Sequence, residues 1–291
     1  LVTCTKISFH LFDIYMSISI FLDKVIDTKC ILGEGLFCTE KNFYWVDIEN
    51  RKIFSYLKKQ INCNSINHIP SVIFDKIGNK LILGSDAGIL EYDIKSNFLS
   101  YLKTLPTEID IKRFRSNDGC LVNGTYYLGF MDRKDSENNR GFIYSFSKNR
   151  KPLEINNDIS IPNGFIPISN SKLLICDSLT SEIWEFTLNK VGGFEDKRLW
   201  AKIDPNISPD GGCKVDKYIL IAFWDDASIG VFDLSGNLLQ RLPLEIPRPT
   251  NCKFLKASSK LLVTSAITDL NEELLKSFPK SGSTFIYKLR L

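Results

Sequence analysis

The sequence predicts an all-β chain folded as a six-bladed β-propeller with four-stranded antiparallel blades, and three observations lead there. Short apolar runs recur at Phe43-Tyr-Trp-Val-Asp47, Lys80-Leu-Ile-Leu-Gly84, Tyr126-Tyr-Leu-Gly129, Lys172-Leu-Leu-Ile-Cys176, Tyr218-Ile-Leu-Ile-Ala222 and Lys260-Leu-Leu-Val-Thr264. Their starts lie about 37 to 46 residues apart, which is the period of a propeller blade. Each is followed by a loop and a second run that alternates apolar and polar residues, as in Lys52-Ile-Phe-Ser-Tyr, Glu182-Ile-Trp-Glu-Phe and Ser228-Ile-Gly-Val-Phe, the pattern of a half-buried strand. Long amphipathic helical patterns are absent from the body of the chain. A pair of β-sandwiches is the structural alternative, and the fixed period argues against it.

Taken in order, residues 1–16 read as an N-terminal extension and 17–291 as a single propeller domain. Residues 1–22 are apolar, but Lys6, His10 and Asp13 interrupt the run. It falls short of the ~18 apolar residues of a membrane span and no small-residue cleavage site follows, so neither an anchor nor a signal peptide is expected. Met16 opens a strand-like segment, Ser-Ile-Ser-Ile-Phe-Leu-Asp, which marks it as a candidate native start. Six repeats then fill the chain. Residues 271–278 form the one helical candidate, interrupting the sixth repeat before a last strand at 284–291. A propeller must close its ring, so the strand at about 17–26 is expected to join the last blade as its outer strand.

Polar clusters keep the phase of this repeat. Glu34 precedes Tyr44 by ten residues, Asn117 precedes Tyr127, Asn163 precedes Leu173, and Asp210 precedes Leu220, each by the same offset. Val72 and Asn251 occupy the corresponding positions in the second and sixth repeats. The first strand of a blade lines the central channel, so these residues are expected near one mouth of it. Glu34, Asn163 and Asp210 would offer two carboxylates and an amide oxygen, hard ligands suited to Ca²⁺, Mg²⁺ or Mn²⁺. The competing reading is local: Pro162-Asn-Gly164, Pro209-Asp-Gly211 and Arg115-Ser-Asn-Asp-Gly119 are each strong turn formers, and Arg115 alone reads as a surface ion-pair partner.

Composition narrows the function classes. The chain has 37 basic and 34 acidic residues and a formal net charge of +3, scattered and without a basic block, so nucleic acid is not an expected partner. Eight cysteines are spread singly, with no zinc spacing; free thiols in a reducing cytoplasm are expected. Only His10 and His68 are present, and neither lies near a nucleophile motif, which argues against Ser-His-Asp and zinc-protease chemistry. Catalysis would rest on carboxylates, amides and arginine.

These motifs together resemble the regucalcin/gluconolactonase family, the group that also holds senescence-marker-like and luciferin-regenerating-enzyme-like proteins. The resemblance rests on Leu32-Gly-Glu-Gly35, Tyr44-Trp-Val-Asp-Ile48, Arg115-Ser-Asn-Asp-Gly119, Gly129-Phe-Met-Asp132, Pro162-Asn-Gly164, Asp177-Ser178, Pro209-Asp-Gly211, Ala222-Phe-Trp224 and Pro249-Thr250, and it covers nearly everything after residue 17. It implies one divalent cation (Ca, Mg, Mn or Zn) in the channel, with Glu34, Asn163 and Asp210 as its ligands. It further implies that Asp210 is the catalytic acid/base, that Arg115 and Asn117 bind substrate, and that the substrate is a small sugar lactone. A calcium-binding regulatory protein without turnover, another esterase or organophosphatase, and a metal-free interaction platform are the alternatives. The chain departs from the family pattern in places. Leu36, Phe37 and Cys38 replace a stretch with Pro and Trp, Val122-Asn123 replaces Asp-Pro, and Gly129-Phe130-Met131 replaces Gly-Thr-Met. An acidic substrate contact found in some members has no clear counterpart among Arg133, Lys134 and Asp135.

Overall fold

The computed structural model describes residues 18–134 and 140–291; the candidate start at Met16, the segment before it and Asp135 lie outside the described residues. Six four-stranded antiparallel sheets are arranged as the blades of a propeller, as the repeat predicts. The innermost strands are Gly33–Cys38, Pro70–Ile77, Phe114–Val122, Pro162–Ser169, Pro209–Val215 and Pro249–Leu255. They define blades 1 to 6.

Parity explains why the second strand of every blade is almost wholly apolar. Alternate residues of a strand face opposite sides of its sheet, and here both sides are covered by a neighbouring blade. In blade 2, Leu81 and Leu83 pack toward blade 1, whereas Ile82 packs toward blade 3. In blade 1, Tyr44 and Val46 face blade 2 while Trp45 faces blade 6. The buried apolar side chains form six clusters, one at each junction between adjacent blades. The core is thus a ring of interfaces around a channel.

The ring closes as expected. Ser19–Ile26 pairs antiparallel with Thr284–Arg290 and forms the outer strand of blade 6, joining two segments from opposite ends of the chain. A second closure lies deeper, where the buried Thr250 hydroxyl of blade 6 donates to the Gly33 carbonyl of blade 1. The expected helix is a short one, α1 (Glu272–Ser277), capped by the Asn271 side chain accepting from the Leu274 amide at 2.8 Å. All seven described cysteines are free thiols. Five are buried, but Cys63 is exposed on an outer strand. No described helix is long and apolar enough to cross a membrane.

Candidate functional site

Each inner strand breaks register at or beside its in-phase residue, which is polar in every blade but the second, where it is Val72. The shift falls between Glu34 and Phe37, Pro70 and Val72, Ser116 and Gly119, Asn163 and Ile166, Pro209 and Gly212, and Pro249 and Asn251. Such bulges twist a strand locally and re-aim its side chains. Two of them need glycine: Gly35 (φ +59°) and Gly164 (φ +54°) are left-handed. A β-carbon on Gly35 would sit 2.7 Å from the Ser71 carbonyl oxygen, and one on Gly164 would sit 2.5 Å from that of Asp210. Glycine at these two positions lets Glu34 and Asn163 face the channel while the next blade packs closely behind them.

The loops entering the inner strands are held from behind by an aspartate that ends the second strand. Asp47 accepts from the amides of Ile31 and Leu32 at 2.9 and 3.2 Å, fixing the approach to Glu34. Asp177 does the same for Ser160 and Ile161 at 2.8 and 3.1 Å, fixing the approach to Asn163. Ser178 adds a lateral tie, accepting from Asn163 Nδ2 at 3.3 Å and donating to the Pro209 carbonyl at 2.7 Å.

Glu34, Arg115, Asn117, Asn163 and Asp210 all line one cavity of about 350 Å³ at a single channel mouth. That volume suits a small ligand. Arg115 Nη1 donates to Asn117 Oδ1 at 2.7 Å and to the Ser116 carbonyl at 3.1 Å. Asn117 Nδ2 in turn donates to the Pro162 carbonyl of blade 4 at 3.0 Å, leaving one N–H and one lone pair of that amide for a ligand. The wall is completed by Met131, Leu179 and Trp224, with Glu49 and Asp269 as further acids. The Arg248 guanidinium stacks on the Trp224 ring, 4.9 Å from its centroid, and pairs with Asp225.

The electrostatics are those of a crowded acidic site. Burial, and then the charge of Asp118, push Glu34 up to about 8. Burial also holds Asp210 well above the usual carboxylate range, helped by the charges of Glu34 and Asp118. The Arg115 guanidinium is lowered by burial, an effect the Glu49 carboxylate opposes. Asp210 Oδ1 is buried and has no hydrogen-bond partner in the protein. A buried acceptor without a donor is costly, and three buried acids repelling one another raise that cost; a cation would relieve both. The donor set is two carboxylates and an amide, and among the described residues no three His, Cys, Asp or Glu side chains converge in metal-binding geometry. Oxygen donors of this kind, with the unpartnered Asp210 Oδ1 among them, fit a hard cation that keeps open positions for water.

Asp118 escapes a reading of the sequence as a buried acid beside the site, because within Asn-Asp-Gly it looks like part of a turn. It is buried, accepts from the amides of Gly119 (2.7 Å) and Phe165 (3.3 Å), and its charge acts on both Glu34 and Asp210. Asn251 carries the right phase but no assigned role; its Nδ2 lies 3.5 Å from Glu34 Oε2. Glu49, Trp224 and Asp269 sit outside the repeat phase; Trp224 belongs to the Ala222-Phe-Trp224 motif but was given no role, and Glu49 and Asp269 left no signal. His68 lies elsewhere, 2.7 Å from the Tyr101 hydroxyl.

The family model described as the SMP-30/gluconolactonase/LRE-like region matches residues 32–267. The chain is 26% identical to an L-arabinolactonase of Azospirillum brasilense, over 91% of this chain and 90% of that protein. It is 24% identical to a regucalcin of Danio rerio, over 92% and 94% of the two chains. Its fold is similar to the crystal structure of a calcium-binding protein, regucalcin, from Agrobacterium tumefaciens, with a TM-score of 0.83 and 23% identity over 93% of this chain and 96% of that one.

Proposed function

This chain belongs to the SMP-30/gluconolactonase/LRE-like family, and from that premise we propose that it is a divalent-metal-dependent hydrolase that opens a small sugar lactone to the aldonic acid. The observation that carries this reading is the buried, partnerless Asp210 Oδ1 in one cavity with Glu34, Asn163 and Arg115. We assign the cation to Glu34, Asn163 and Asp210, whose oxygen donors suit Ca²⁺, Mg²⁺ or Mn²⁺ better than Zn²⁺.

When bound, the cation supplies Lewis acidity toward the lactone carbonyl oxygen. Asp210 acts as general base, taking a proton from the water that attacks the carbonyl carbon. It then returns a proton to the ring oxygen as that oxygen leaves. Arg115 presents its planar fork to sugar hydroxyls, and Asn117, bonded to Arg115, both orients that fork and offers its remaining N–H and lone pair. Trp224 gives the sugar a flat apolar wall.

Proton release from arabinono-, xylono- and glucono-lactones should be followed with EDTA-treated protein re-supplied with Ca²⁺, Mg²⁺, Mn²⁺ or Zn²⁺. Turnover above the spontaneous rate with at least one cation, abolished by EDTA, is expected; no lactone turned over with any cation would overturn the reading. A second reading is favoured by the relatives named regucalcin: cation binding by the same residues without turnover. Calorimetric cation binding with no lactone hydrolysis would select it. The free thiols support a cytoplasmic location.

A further inference from the structure

Inner-strand residues that follow the ring of Glu34, Asn163 and Asp210 open onto a second cavity, of about 300 Å³, on the far side of the channel. The first cavity takes its lining from the start of the inner strands and the loops before them, whereas this one takes it from later positions of the strands of blades 1, 2, 3, 4 and 6. Because all six inner strands run the same way along the channel, the two cavities lie at opposite ends, with Glu34, Asp118 and Asn251 between them.

Its chemistry differs from that of the first cavity. Phe37, Phe74, Phe165 and Phe254, from four blades, give it an aromatic wall. Lys253 stands among them, its Nζ donating to the Gly212 carbonyl at 3.2 Å. Among the described residues no carboxylate lies within ion-pairing distance of that ammonium. Asp118, the acid of this cavity, has its two oxygens on the amides of Gly119 and Phe165; it feels the charge of Lys253 but makes no ion pair with it. Asn251 also lines the cavity; it is 3% exposed, and its Oδ1 is buried with no hydrogen-bond partner in the protein. A half-buried ammonium within an aromatic cavity is the kind of placed polar group that fixes a ligand's orientation in an otherwise apolar site.

We propose that this far cavity is a second binding site, for a small amphipathic monoanion: an aromatic or short aliphatic body among the phenylalanines, with its carboxylate on Lys253. The site is separate from the lactone site and does not depend on the function assigned there. Asn251, which touches Glu34 through Nδ2, and Asp118, whose charge acts on Glu34, connect the two.

The test uses EDTA-treated full-length protein, so that a carboxylate cannot bind through a cation at the first cavity. Phenylacetate and its neutral isostere phenylacetamide are titrated by saturation-transfer NMR and calorimetry into the wild type, Lys253→Met, Lys253→Arg and Asp210→Asn. Saturable phenylacetate binding is expected in the wild type, Lys253→Arg and Asp210→Asn. Lys253→Met, and phenylacetamide in the wild type, should bind about tenfold or more weakly, a difference of about 1.4 kcal/mol. The Arg variant separates loss of charge from loss of fold. No saturable binding of phenylacetate to the wild type overturns the proposal. So does binding unchanged in a folded Lys253→Met, or binding lost in Asp210→Asn but kept in Lys253→Met.

Discussion

Asn117 of blade 3 donates to the carbonyl of Pro162 in blade 4 at 3.0 Å, one residue before Asn163. The residue proposed to hold substrate is therefore bolted to the backbone that presents a proposed cation ligand. Asn117→Ala would lose the contact to Pro162 and, at the same time, the acceptor of Arg115. Both KM and cation affinity are expected to weaken, by about tenfold each, the size of one or two hydrogen bonds. Steady-state kinetics at several cation concentrations would measure the two; a change in KM alone would mean that the bolt does not matter to the cation.

Asp210→Asn keeps the shape and an amide oxygen but removes the base. kcat for lactone hydrolysis is expected to fall about 10²- to 10⁴-fold, with the fold retained by circular dichroism. Full activity in this variant would remove Asp210 from the mechanism.

Arg115→Lys keeps the charge and loses the fork. The ammonium cannot span Asn117 Oδ1 and a sugar hydroxyl in the same geometry, so KM is expected to rise about tenfold with a smaller change in kcat. Equal kinetic constants for the two proteins would place the substrate elsewhere in the cavity.

Glu34 makes the stability of the cation-free protein depend on pH. Its carboxyl is pushed up to about 8 in the fold, against an ordinary value of ~4.3 in the unfolded chain. Between those values the folded state keeps a proton that the unfolded state releases, so stability falls as pH rises through this window. In EDTA the protein is expected to melt lower at pH 8 than at pH 5, and Glu34→Gln should reduce that slope, leaving the part due to Asp210. A saturating divalent cation should reverse the trend, since binding needs the ionised carboxylate. Scanning calorimetry checks this; a Glu34→Gln slope equal to that of the wild type would clear Glu34.

Asp177→Ala leaves the amides of Ser160 and Ile161 without the acceptors that hold them. The expected loss is about 2–4 kcal/mol by urea unfolding, with cation affinity weakened through Asn163. An unchanged affinity in the folded variant would show that Asn163 is held by Ser178 and Gly164 alone.

The fold was legible because a blade buries both faces of its second strand, so runs such as Lys172-Leu-Leu-Ile-Cys176 stand out at a fixed period. The closing strand followed from topology, since a ring needs a partner for Thr284–Arg290. Glu34, Asn163 and Asp210 were legible through phase, although phase gives position on a strand and says nothing about role. Asp118 was hidden because only the register shift between Ser116 and Gly119 makes two consecutive side chains serve the channel. Glu49, Trp224 and Asp269 come from loops, whose paths no repeat dictates. The far cavity was unreadable for a different reason: phenylalanines on inner strands look like core until the strands are seen to enclose a space.

Pairing Ser19–Ile26 with Thr284–Arg290 also sets a timetable for synthesis. The first strand leaves the ribosome some 260 residues ahead of its partner, a wait of roughly 13 to 50 s at about 5–20 residues per second. Throughout it, Phe21 and Leu22 belong to an edge with nothing to pair against, and five blades can assemble as an open arc. The nascent chain therefore carries an unpaired outer strand until Thr284–Arg290 has been made, and slow decoding of the last blade would prolong that stage.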